Sequence, residues 1–208
     1  MPRLALDIEQ LRDFHDRALH EPHPLDSPPP PMEAGLWAWI ARNHHCNTLL
    51  WDEEDQARRR DVADAEIVRC KRAIDRHNQA RNDAVEQIDL CLMDQLDGPA
   101  PESRARLHSE TPGAMVDRLS ILALKLHHMG RQLQRDDVDD AHLATCAAKL
   151  QRLQEQRADL LAALGALLDE LAGGTARFKL YRQFKMYNDP TLNPWLARAA
   201  RGAQPVEP

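Results

Sequence analysis

The chain has 208 residues, of which 43% are hydrophobic and 4% aromatic, and its formal net charge is −6. This composition favours an all-α protein rich in Leu and Ala over a β-sandwich, and the length suffices for one domain with a sizeable core. The acidic charge argues against nucleic acid as a partner, and the lack of an apolar run of roughly 18 residues argues against a membrane span.

Changes in apolar periodicity and in proline content divide the chain into four parts. Residues 1–21 predict a short amphipathic helix, because apolar residues recur there at every third or fourth position. Residues 22–32 are rich in proline, which excludes a helix and predicts a stiff connection. Residues 33–196 predict a single-domain bundle of long helices with a short basic and aromatic C-terminal helix. Residues 197–208 predict a disordered tail.

The second predicted helix covers residues 33–60 and carries polar groups along one face. Spacings of three or four residues place together His44, Asn47, Trp51, Glu54, Asp55 and Arg58. A tryptophan within such a face favours a partly buried site, because a large aromatic side chain seldom lies alone in water. The alternative is a solvated face in which Glu54 and Arg58 form an ordinary ion pair one turn apart.

The third helix is predicted to run without interruption over residues 67–92, which contain neither Gly nor Pro. Its polar stripe consists of Lys71, Asp75, Asn78, Asn82, Glu86 and Asp89. Asn and Asp are disfavoured inside helices, so their presence favours a ligand site over a solvated face. We expect this stripe to face the polar face of the second helix. Contacts should then join Glu54, Asp55 or Arg58 to Asp75, Asn78 or Asn82.

The fourth helix, residues 112–134, begins with the sequence SETPG. Thr111 suits the N-cap, Pro112 suits the first helical position, and Gly113 permits a close approach of another backbone. The start of this helix is either an anion-binding site or simply a well-capped terminus. Its apolar surface predicts a central position, where Asp117 and His128 would need polar partners.

Two segments follow the fourth helix. The longest amphipathic segment, residues 136–174, carries a leucine stripe over 143–171 that predicts a core helix or a seam with a second copy. In the last segment, basic residues including Lys185 alternate with aromatic residues. This alternation suits contacts with phosphates or the closure of an acidic cleft.

Four sequence motifs together resemble a known family. They are LLWDEEDQAR (49–58), KRAIDRHNQARNDAVEQID (71–89), SETPGAMVDRLSILALKLHHM (109–129) and FKMYNDPTLNP (184–194). In this order they resemble an uncharacterised bacterial family, domain of unknown function 4254. The resemblance implies that all four motifs belong to one domain, and it supplies no catalytic residue. The family pattern has a histidine soon after the tryptophan of the first motif, where this chain has Asp52.

Convergence of the polar faces at one cleft is the basis of the first functional hypothesis. Carboxylates facing cations suit a small phosphorylated ligand, a nucleotide or a sugar phosphate, bridged by Mg²⁺. The candidate catalytic residues are His44, Glu54, Asp55, Asp75, Asp117 and His128. The candidate ligand-binding residues are Asn47, Arg58, Lys71, Asn78, Arg81, Asn82, Arg118 and Lys185. The candidate metal ligands are Glu54, Asp55, Glu86 and Asp89.

The second hypothesis is a non-catalytic interaction or scaffold protein. In that case the polar stripes form a structural network that fixes the register of the bundle, and residues 143–171 bind a partner helix or a second copy. Four scattered cysteines without metal-ligand spacing suit a reducing compartment, so we expect a cytoplasmic protein.

Overall fold

Helices make up almost all of the regular structure of the chain. The computed structural model describes residues 4–20, 35–96, 105–182 and 189–202. Its helices are α1 (Ile8–Ala18), α2 (Leu36–Gln56), α3 (Asp64–Met93), α4 (Pro112–Gln132), α5 (Asp140–Ala172) and α6 (Pro194–Gly202). The predicted all-α bundle is therefore confirmed for the described part of the chain.

Local signals in the sequence account for where several helices begin. Asp7, Thr111 and Asp139 cap α1, α4 and α5, each through a side-chain oxygen that accepts a backbone N–H of the first turn. Pro112 occupies the first turn of α4 as predicted. The predicted uninterrupted helix over residues 67–92 lies entirely within α3.

Helix α4 lies at the centre of the bundle and packs against α1, α2, α3 and α5. Its side chains Met115, Val116, Leu119 and Leu124 are almost fully buried, which agrees with the apolar surface predicted for this helix. Helices α2 and α3 pack along each other as an antiparallel pair. An ion pair between Arg69 and Glu53, 3.1 Å apart, fixes the end of that pair beside the connecting turn.

Helix α5 joins the core along only part of its length. In its second half Leu160, Leu164, Leu168 and Leu171 are buried, so this part of the predicted leucine stripe is core. In its first half the leucines are only half-buried and many neighbouring residues are exposed. The second half thus fixes α5 to the bundle, whereas the first half forms one wall of a groove described below.

Two short strands form the part of the fold that the sequence did not predict. Strand β1 (Arg106–Leu107) pairs in parallel with β2 (Ala176–Arg177), which follows α5. The segment predicted to be basic and aromatic therefore begins as extended chain, and the C-terminal helix α6 comes later. Helix α6 continues to Gly202, well into the predicted tail. Lys185 and the proline-rich connection lie outside the described residues.

No helix in the described ranges is both long enough and apolar enough to cross a membrane.

Candidate functional site

A buried cluster of polar side chains joins α2 to α4. We call it the polar junction, and its members are Asn43, His44 and Asn47 from α2 with Asp117 and Ser120 from α4. Asn43 Nδ2 donates to Asp117 Oδ1 over 2.8 Å, and Asn47 Nδ2 donates to the same oxygen over 2.9 Å. Asn47 Nδ2 also lies 3.0 Å from Ser120 Oγ, which is 2.8 Å from His44 Nδ1. These amides and hydroxyls therefore satisfy one another within the bundle.

His44 also stacks on His15 of α1, with ring centroids 5.0 Å apart and an angle of 28° between the planes. Burial lowers the pKa of His44 to about 4, and the nearby His45 lowers it further while Asp16 opposes the shift. Burial also holds the pKa of His15 well below its ordinary value, as do the charges of His44 and Arg157. Both imidazoles are consequently neutral at neutral pH, and they serve to pack α1 against α2.

The polar junction reaches solvent at one edge, beside Arg81 of α3. Arg81 Nε lies 3.8 Å from Asp117 Oδ1, and the Asp117 side chain is 16% exposed. Asn43, Asn47 and Ser120 are at most 4% exposed. The junction therefore fixes the position of α2 against α4.

One turn beyond the junction, α2 and α4 meet again through an aromatic stack. The indole of Trp51 lies on the imidazole of His128, with ring centroids 4.3 Å apart and planes 8° from parallel. Both residues line an open groove between α4 and α5, which we call the α4–α5 groove. The stack gives this groove a planar aromatic wall.

The α4–α5 groove has a volume of about 820 Å³ and a mainly apolar surface. Its lining consists of Trp51, Lys125, His128, Met129, Gln132, Thr145, Ala148, Lys149, Arg152, Leu153 and Gln156. Three of these residues are cations, Lys125, Lys149 and Arg152. No carboxylate appears among the described residues that line it. The lining is therefore positively charged and mainly apolar. These properties suit a ligand that is an anion and carries an apolar part.

The start of α4 is occupied by a carboxylate of the protein itself. Gly113 N donates to Asp89 Oδ1 over 2.6 Å, and Asp89 is 1% exposed. Burial raises the pKa of Asp89 to about 6, against the opposing effect of hydrogen bonds from Thr111 and Gly113. Of the two predictions for this terminus, a capped helix is correct, because Asp89 of α3 lies where an external anion would bind.

The four predicted metal ligands do not meet. Glu53 of α2 pairs with Arg69 near the start of α3, so Glu54 and Asp55 lie at that end of the helix pair. Glu86 follows Arg69 by 17 residues, or roughly 26 Å along the helix axis at 1.5 Å per residue. Across the described ranges, no group of three or more His, Cys, Asp or Glu side chains is arranged to hold a metal ion.

The expected contact between the stripes of α2 and α3 is also absent, and the register of the helix pair explains why. Arg58 pairs with Glu54 of its own helix at 2.9 Å, which is the alternative that the sequence left open. Lys71 and Asp75 are exposed on α3, and Asp55 is exposed on α2. The prediction failed because the wheel angle of a residue does not determine which turn of the neighbouring helix it meets.

The remaining candidates fall in several places. Asn78 and Asn82 are half-buried on α3, and Asn82 and Glu86 border a small cavity of about 300 Å³ beside Asp89. Arg118 is exposed and bonds to Glu110 over 2.8 Å. Of the predicted site residues, the structure brings together His44, Asn47, Arg81 and Asp117 in and beside the polar junction, and it places His128 in the groove.

Several residues of the polar junction and of the α4–α5 groove were not predicted from the sequence. Asn43 lies one turn before Asn47, a spacing that could have added it to the stripe. Lys149 and Arg152 also lie on one face of α5, but they resemble the ordinary basic residues of a solvated helix. Ser120 and His15 carried no signal beyond helical periodicity, because one buried hydroxyl or imidazole is common in helical cores.

Comparison with known proteins gives one match. Residues 37–180 match the family described as "Protein of unknown function (DUF4254)". No curated protein and no solved structure matches the chain.

Proposed function

We propose that this chain, which belongs to the DUF4254 family of proteins of unknown function, binds a small phosphorylated ligand with a planar ring in the α4–α5 groove. The observation that carries this proposal is the charge of the groove lining. Lys125, Lys149 and Arg152 all line a mainly apolar space next to the stack of Trp51 and His128.

Each part of such a ligand has a matching surface. A phosphate group carries close to two negative charges at neutral pH and gains from several nearby cations in a partly desolvated groove. A planar base can stack against the aromatic wall or cover the apolar surface. The volume of about 820 Å³ lies within the range of ordinary small-molecule sites. A nucleotide therefore fits better than a sugar phosphate, which would leave the apolar wall uncovered.

Binding is better supported than catalysis. Of the six predicted catalytic residues, only His128 lines the groove, and its ring is stacked on Trp51. The three cations, rather than a protein-bound Mg²⁺, meet the charge of the phosphate in this proposal. The polar junction then has the structural role of the second hypothesis, because it holds α2 against α4 and so positions Trp51 next to His128.

Calorimetric titration with adenosine 5′-monophosphate tests the proposal. We expect binding of this nucleotide at least tenfold tighter than binding of adenosine, and weaker binding as the salt concentration rises, because the phosphate supplies the charge. Arg152→Glu should reduce the affinity at least tenfold. The matched control is Arg72→Glu, which reverses an exposed charge on α3 outside the groove and should leave the affinity unchanged.

Three results would contradict the proposal. Absence of binding at millimolar nucleotide would remove its basis. Equal affinities for the nucleotide and the nucleoside would show that the cations are not used. Equal losses in the Arg152 and Arg72 variants would mean that only the overall charge of the protein matters.

A second candidate function follows from the first half of α5. The leucine stripe continues there beyond the core, with Leu143, Leu150 and Leu153 half-buried between exposed neighbours. This surface would suit a partner helix or a second copy, as in a scaffold protein. Sedimentation velocity of the full chain distinguishes the cases, since a concentration-independent monomer would exclude the homodimer.

For the location of the protein in the cell we propose the cytoplasm. All four cysteines are free thiols, which suits a reducing compartment. Recovery of the protein in another fraction of its cells would contradict this proposal.

A further inference from the structure

We infer that the ligand of the α4–α5 groove is elongated, with a hydroxylated group such as a sugar joined to the far side of its phosphate. This inference rests on the proposed function and extends it to a class of compound, a nucleotide linked through phosphate to a sugar. It comes from a second cavity that continues the groove toward the start of α4.

The second cavity adjoins the first. Its volume is about 700 Å³, and Lys125 and Gln156 line both cavities. His128 lines the first cavity and Arg118 lines the second, and they are ten residues or roughly 15 Å apart along α4. A mononucleotide stacked on the aromatic wall would fill only the first cavity. The length of the combined space therefore calls for a ligand that extends past Lys125.

The polarity changes along this path. The first cavity has three cations and no carboxylate among its described lining residues, whereas the second is lined by Asp159 and His108 as well as by Arg118 and Glu110. Arg118 Nη1 bonds to both carboxylate oxygens of Glu110, at 2.8 and 2.9 Å, so these two charges offset each other. Asp159 is exposed at the wall and has no such partner in the described part of the chain.

Beside Lys125 and Gln156, two groups left over in the second cavity are able to accept hydrogen bonds. His108 Nδ1 lies 2.6 Å from the carbonyl oxygen of Glu110, to which it donates, so in the uncharged form of the ring Nε2 is left to accept. The Asp159 carboxylate accepts through two oxygens, a geometry that suits a pair of neighbouring hydroxyls. A phosphate next to Asp159 would be repelled. A sugar is thus the group that fits beyond Lys125, and the phosphates fit beside Lys125, Lys149 and Arg152.

The experiment compares two probes that share the same diphosphate, adenosine diphosphate and adenosine diphosphate ribose, by titration calorimetry on the full chain. We expect the ribose-bearing probe to bind at least tenfold more tightly. Asp159→Ala should remove that advantage and leave the affinity for adenosine diphosphate unchanged. Asp169→Ala, which removes an exposed carboxylate of α5 outside both cavities, is the matched control and should retain the advantage.

The outcomes separate this inference from the proposed function. If adenosine diphosphate binds and the ribose adds nothing, the inference is overturned while the proposed function stands. If the ribose adds affinity that survives both Asp159→Ala and His108→Ala, the sugar lies elsewhere and the inference is again overturned. If neither probe binds, both proposals fail. Thermal unfolding of each variant verifies that a loss of affinity does not reflect a loss of fold.

Discussion

The close contact of Gly113 in α4 with α3 makes Gly113→Ala a sharp test of the packing. A methyl group at Gly113 would lie 2.5 Å from the backbone oxygen of Val85 and 2.8 Å from Asp89 Oδ1. Both distances are shorter than a carbon and an oxygen can approach without repulsion, and the backbone of α3 cannot rotate away as a flexible side chain could. The first turn of α4 must therefore move away from α3.

The magnitude follows from three contributions. Overpacking of this kind costs about 1 to 3 kcal/mol. The displacement also lengthens the 2.6 Å hydrogen bond from Gly113 N to the Asp89 carboxylate, and bonds to charged groups contribute about 1.5 to 3 kcal/mol. Alanine favours a helix more than glycine does, and this preference offsets at most about 1 kcal/mol of the loss in stability. The expected net loss is about 3 kcal/mol, or a melting temperature lower by roughly 6 to 12 °C in a domain of this size.

Urea unfolding followed by circular dichroism measures this loss, and the same helix provides a control. At Gly130 an added methyl group meets nothing within 4 Å, so Gly130→Ala should stabilise the protein by up to about 1 kcal/mol. If Gly113→Ala proved as stable as Gly130→Ala, the close approach of α3 and α4 would be refuted.

Two further predictions concern the polar junction. Because burial holds the pKa of folded His44 at about 4, below the ordinary 6.5, its contribution to stability is complete above pH 6.5 and is lost as the pH falls toward 4, by up to about 3 kcal/mol. Urea unfolding of His44→Phe across this range should show a shallower pH dependence, and an unchanged slope would contradict the assignment. Asn47→Asp puts a carboxylate next to Asp117 and removes a donor, so we expect a loss on the order of 3 kcal/mol, whereas Asn78→Asp on α3 should cost little. Equal losses in these two variants would show that the junction has no special role.

The sequence was sufficient for helices α1 to α5, and the local causes are clearest for α3 and α4. Residues 67–92 contain no helix breaker, and Thr111 with Pro112 marks the start of α4 before any packing is considered. The burial of α4 followed from its apolar surface on every side. The two-residue strands β1 and β2 could not be predicted in this way, because they depend on a contact between segments 70 residues apart and have no alternating pattern of their own.

The candidate site was predicted only in part, for a related reason. His44 and Asn47 were identified because they share a face of α2 with Trp51, and Asp117 because a charge on an apolar helix needs a partner. Asn47 bonds to Asp117, and Ser120 links Asn47 to His44. The contact expected between the polar face of α2 and the stripe of α3 required a particular register between the two helices. The turn between them decides that register, and it pairs Glu53 with Arg69 instead. Lys149 and Arg152 escaped notice because their meaning depends on the open space between α4 and α5.

The ladder of β1 and β2 has a consequence for the order in which the chain folds. Two of its backbone hydrogen bonds, Arg106 N to the oxygen of Thr175 and His108 N to that of Arg177, contribute about 1 kcal/mol each. Bringing together the ends of a flexible loop of about 70 residues costs close to 4 kcal/mol in entropy, more than those bonds return. The strands can therefore pair only after α4 and α5 have packed and shortened the distance between them. The amide hydrogens of the two strands should exchange with solvent through local opening, well before those of α4. The ladder therefore forms late and joins the ends of a helix pair that has already packed.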